Sequence, residues 1–140
     1  MTEIPVWLRR GATTVAAGRV ALGLTALAWP AVPARPWVGA SADDLAAKVF
    51  GRALGARDVA LGLGALAALE GNGTAARASS ARAWVAAGAL SDALDVLASV
   101  ASWQDLPRLT RWLVAASAGG AAIVGAAGAL TLQPEARSRP

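Results

Sequence analysis

FGRALGARDVALGLGALAAL, from Phe50 to Leu69, begins with charges and glycines and ends as pure hydrocarbon. From Val59 onward every residue is apolar or small, yet Arg57 and Asp58 stand directly before that run. Gly51, Gly55, Asp58 and Gly62 recur at helical intervals, so they line one face of a helix. Further on, AWVAAGALSDALDVLASVA (83–101) repeats the pattern with Gly88, Asp92, Asp95 and Ser99. Two helices joined by the short loop around Glu70-Gly71-Asn72-Gly73 are expected to run antiparallel. Each then offers a groove of small residues with carboxylates in it.

The rest of the chain is read from that pair. Its 140 residues suit a single domain, and they are 56% hydrophobic with a mean hydropathy of +0.48. Only 16% are charged, against about 25% in ordinary soluble domains. A core made mostly of alanine buries little area per residue against the entropy of ordering the chain. Small residues are good packing surfaces in lipid, so the composition favours a membrane protein over an alanine-rich soluble bundle.

The sequence-based expectation is therefore an all-α, integral membrane four-helix bundle. Its spans are 11–32, 52–69, 83–101 and 109–132, and a short interfacial helix lies between spans one and two. Residues 1–132 form one transmembrane domain and 133–140 a disordered tail. Ser41, followed by Asp44, marks the N-cap of the interfacial helix. Arg19, inside span one, is read as snorkelling to the headgroups. All six tryptophans fall near predicted span ends. The arginines at 9, 10, 77, 82, 137 and 139 favour both termini in the cytoplasm of a bacterial cell, the protein being multi-pass in the inner membrane.

The chemistry is narrow. Without Cys or His there are no disulfides, no thiol chemistry and almost no zinc sites, and no cofactor is expected. No basic patch with interleaved aromatics points to nucleic acid. The candidate buried polar network is Arg57, Asp58, Asp92 and Asp95. Helical rise places Arg57 about 8 Å beyond Arg52 and Asp95 about 12 Å before Trp103. Arg57 is therefore expected to pair with Asp95 or Asp92, and poorly with its neighbour Asp58. Two carboxylates one turn apart repel unless one is protonated or an arginine sits between them. In span four, Ser117, Ala121, Gly125 and Ala129 repeat every four residues as a candidate packing face.

On the stretches FGRALGARDVALGLGAL and DALDVLASV the chain resembles a family of small, uncharacterised four-span membrane proteins of actinobacteria. Those proteins carry a Gly-x-Arg-Asp motif entering the second span and an aspartate in the third. The matching positions are Gly55, Arg57, Asp58, Gly62, Asp92 and Asp95, and the resemblance covers residues 12 to 132. It implies the four-span fold and no settled activity or cofactor.

The leading functional expectation is a non-catalytic accessory or scaffold subunit of an inner-membrane complex. Its partners would be the lipid bilayer and another membrane protein or a second copy. One alternative is a small proton-linked transporter or lipid-binding membrane protein using Asp92 and Asp95 with Arg57. A further alternative is a lipid-modifying enzyme, disfavoured because no nucleophile, histidine or metal cluster accompanies the carboxylates.

Overall fold

The computed structural model describes residues 6–70, 75–108, 110–116, 119, 120 and 123, with the side chains of 75–78 left aside. Five helical elements are bounded within them: α1 (Val6–Ala28), α2 (Ala31–Val38), a 3₁₀ turn (Gly39–Asp43), α3 (Leu45–Leu69) and α4 (Ala75–Ala101). Residues 110–116 are also helical.

Glycine decides the central contact. A Cβ on Gly23 would lie 2.5 Å from the Gly55 carbonyl oxygen, and one on Gly55 would lie 2.7 Å from that of Gly23. A Cβ on Gly62 would fall 2.6 Å from the Ala16 oxygen. The backbones of α1 and α3 therefore meet directly, and no larger residue fits between them. The pairings 23 with 55 and 16 with 62 make the two helices antiparallel. Arginines close the ends of this pair. Arg9 donates to the Leu69 carbonyl at 2.6 Å, and Arg52 Nε donates to that of Leu27 at 3.2 Å. Each carbonyl lies in the last turn of its helix, where no intrahelical donor remains.

The glycine stripe of α3 thus faces α1, not α4 as its match with the α4 stripe suggests. Helix α4 packs antiparallel on another side of α3, with the Trp84 ring against Gly64 and Arg57 against Asp95. α1 and α4 consequently run the same way, side by side on α3.

Between α1 and α3 the chain turns in short pieces. α1 ends before Pro30, and α2 carries Pro36 within it. Gly39 ends α2 at φ +63°, a conformation that L side chains rarely adopt. Ser41 lies inside the 3₁₀ turn, and the N-cap of α3 is Asp44, whose extended backbone (φ −69°, ψ 149°) admits the first turn. The expected separate interfacial helix is therefore replaced by α2, the turn and the first turns of a continuous α3.

The four-span membrane fold is corrected by this structure. Two described helical stretches, not four, are long and apolar enough to cross a membrane: Val6–Ala28 and Ser79–Ala101. Only 17% of each apolar window is buried in the bundle. The expected second span, 52–69, carries Arg52, Arg57 and Asp58, too many charges for a crossing helix. The fourth, 109–132, lies mostly outside the described residues. What the described residues form is an all-α bundle with five of its charged side chains joined in an ionic cluster between α1, α3 and α4. The bilayer partner and the multi-pass inner-membrane location rest on the four-span fold and are withdrawn with it.

Candidate functional site: an ionic chain beneath an apolar cavity

Each member of the ionic cluster is placed by the packing just described. Arg19 stands at the middle of α1, one turn from the Gly23 contact. Its Nη1 donates to Asp58 Oδ1 on α3 at 3.0 Å. Its Nη2 lies 2.5 Å from Asp92 Oδ2 on α4 and donates to the Gly88 carbonyl at 3.0 Å. A Cβ on Gly88 would stand 3.5 Å from the guanidinium, an ordinary contact, so this bond does not depend on glycine. Arg57 Nη2 donates to Asp95 Oδ2 at 2.8 Å and Nη1 to Asp95 Oδ1 at 3.1 Å, a two-pronged pair. A longer contact of 3.5 Å joins Arg57 to Asp58 despite their adjacency, because Asp58 turns toward Arg19 and still remains within reach.

The result is one alternating chain, Asp92–Arg19–Asp58–Arg57–Asp95, crossing three helices. Its cavity end is the drier one. The side chains of Arg19 and Asp92 are 14% and 13% exposed, against 33% and 29% for Arg57 and Asp95. Burial pushes the Asp92 carboxyl above the ordinary aspartate value, and the charges of Asp95 and Asp58 add to that; the Arg19 hydrogen bond and charge oppose it. The Arg57 guanidinium is raised by its hydrogen bond to Asp95, against the opposing effect of burial. Arg57 Nε and Ser91 Oγ are buried with no hydrogen-bond partner among the described residues. No group of three or more Asp, Glu, His or Cys there is arranged to hold a metal ion.

Because α1 and α4 both pack on α3 rather than on each other, a space opens between them. It is a cavity of about 280 Å³ that opens to the surface, with Trp7 and Trp84 at its mouth 71% and 37% exposed. Its α1 wall runs from Trp7 to Arg19, about 18 Å along the helix, and its α4 wall from Trp84 to Asp92. Leu61 and Ala65 of α3 form the back. Two indoles stand toward one end and the Arg19–Asp92 pair closes the other. Between them the walls are glycine, alanine, valine and leucine.

The four residues singled out by sequence all lie in the ionic chain. Arg19, the cation that ties Asp92 to Asp58, is expected from the sequence at the headgroups, because a span that starts at Gly11 leaves it close enough to snorkel. Charge arithmetic was the missed signal: Asp58, Asp92 and Asp95 outnumber Arg57, and Arg19 is the remaining charge in the middle of α1. The packing face Ser117, Ala121, Gly125 and Ala129 lies outside the described residues. Three of the six tryptophans expected at membrane interfaces make ring contacts within the protein, while Trp7 and Trp29 stay exposed. Trp84 covers Gly64, and Trp103 meets Trp112 edge to face at 5.1 Å with Arg111 near its ring.

The accessory-subunit reading, the transporter or lipid-binding membrane protein and the lipid-modifying enzyme all assumed a four-span bundle. They fall with it, as do the membrane-protein and self-association partners argued from span four. Comparison of the chain with protein-family models, with curated proteins and with solved structures found no match. The resemblance to the four-span actinobacterial family is therefore corrected as well: no family model carries it, and the helices that its motif joins belong to a bundle of another layout.

Proposed function

We propose that this protein binds a small, mainly apolar molecule in the cavity between α1, α3 and α4. The observation that carries this is the cavity's composition: apolar walls throughout, with one ion pair, Arg19–Asp92, at one end. Ligand sites are commonly concave and apolar, with a few placed polar groups that orient the occupant. The volume sets the size. About 280 Å³ is roughly twice the ~150 Å³ apolar cavity that admits benzene. A phenyl ring bearing a short side chain fits that space.

Rigidity supports the same reading. Arg19 is tied to α3 and α4 by three contacts, so the polar end of the cavity is set before a ligand arrives. The test uses 2-phenylethanol as a neutral probe in a ligand-observed NMR titration. Saturable binding to the native chain is expected. Ala89→Leu, which places a larger side chain in the cavity wall, is expected to abolish it while the helical circular dichroism is retained. No saturable binding of this probe or of charged probes of the same shape to the native chain, or equal binding to both chains, refutes the proposal.

A further inference from the structure

The ionic chain does not balance. Asp92, Asp58 and Asp95 supply three carboxylates, while Arg19 and Arg57 supply two guanidiniums. With all five ionised the cluster carries one net negative charge beside an apolar space. Asp58 is held by both arginines. Asp92 and Asp95, at the ends of the chain, each have one cationic partner among the described residues. Of these two ends, Asp92 lines the cavity and Asp95 does not. Arg19 also lines it, but both of its terminal nitrogens are engaged, one by Asp58 and the other by Asp92 and the Gly88 carbonyl.

We infer that the molecule held in this cavity is a small arylalkyl or alkyl amine, its protonated nitrogen facing Asp92 and its apolar body lying toward Trp7 and Trp84. The inference rests on the reading of the cavity as a ligand site. A cationic end brings the five-residue cluster to neutrality where its field is least screened. An anionic end doubles the surplus and must displace Arg19 from partners it already has. A neutral end fills the space and leaves the surplus uncompensated. Burial is the main cause that raises the Asp92 carboxyl, and the neighbouring carboxylates of Asp95 and Asp58 add to it, the part that a cation at this end would offset. Asp95, Asp58 and Arg19 are the charged groups that act on Asp92 in this cluster, and Arg57 is paired with Asp95 and Asp58.

Three probes of one shape separate the possibilities: phenethylamine, 2-phenylethanol and phenylacetate, titrated calorimetrically at neutral pH into the purified full chain. The amine is expected to bind about tenfold or more tighter than the alcohol, a margin typical of one charge-assisted hydrogen bond, with phenylacetate weakest. In Asp92→Asn the amine is expected to lose its margin over the alcohol. Alcohol binding equal to or tighter than the amine, or phenylacetate binding best, overturns the inference and leaves the cavity as a ligand site. Failure of all three overturns both. The order of the three probes on the native chain decides the matter even where Asp92→Asn does not fold.

Discussion

Replacing Arg19 by methionine removes a side chain that joins all three long helices. Methionine keeps much of the side chain's length and apolar stem, so the loss is that of charge and hydrogen bonds. Asp58 then keeps only the 3.5 Å contact with Arg57, and Asp92 keeps no cationic partner among the described residues. Removing one partner of a buried ion pair costs about 3–5 kcal/mol, because the other charge is left without compensation. Arg19 and Asp92 are 14% and 13% exposed, so solvent screening reduces that figure little. For a chain of this size about 3–5 kcal/mol lowers the melting temperature by about 10–20 °C. Arg35→Met is the comparison. The Arg35–Asp43 pair spans a similar 3.0 Å but is 62% and 54% exposed, and its loss is expected to cost at most about 1 kcal/mol. Urea denaturation followed by circular dichroism reads both variants. The double variant Arg19→Met/Asp92→Asn is expected to recover part of the loss, since it also removes the stranded charge. Arg19→Met falling within about 1 kcal/mol of Arg35→Met would show that the cluster is solvated, and would refute the argument.

Glycine substitutions separate backbone contact from helix propensity. Gly62→Ala places a Cβ 2.6 Å from the Ala16 carbonyl oxygen and is expected to cost about 1–3 kcal/mol. Gly18→Ala meets nothing within 4 Å and is expected to add about 0.5–1 kcal/mol; equal effects in thermal melts would contradict the α1–α3 contact. The Asp92 carboxyl is raised in the folded chain, so its protonated form favours folding, and that contribution is present below the ordinary aspartate value of about 3.9 and lost as pH rises through the raised one. The stability of the native chain relative to Asp92→Asn should therefore improve as pH falls toward and below that range, and a relative loss on acidification would reverse the assigned direction.

Helix was legible throughout, because alanine-rich segments without strand alternation have few other solutions. The Gly51–Gly62 and Gly88–Ser99 stripes, and the carboxylates on them, could be seen in the one-dimensional spacing. Their partners could not. A stripe of small residues says that a backbone approaches closely, but not which one. The composition argued for lipid around the helices, and from that premise came four spans, headgroup arginines and interfacial tryptophans. Arg19 shows where the premise misled. Read against a bilayer, a cation in an apolar helix goes to the surface; packed against α3 and α4, it goes to Asp58 and Asp92.

What the sequence by itself determined is local: helical segments, the break at Pro30, the faces of small residues, and a surplus of carboxylate over Arg57. Only the tertiary structure decided that α3 gives its glycine face to α1 and another side to α4. It also decided that Arg19 spans the space left between α1 and α4, and that the surplus charge ends at an apolar cavity. The reason is physical. Helical periodicity follows from the backbone geometry of one segment, whereas the pairing of charges and the opening of a cavity depend on distances between segments far apart along the chain.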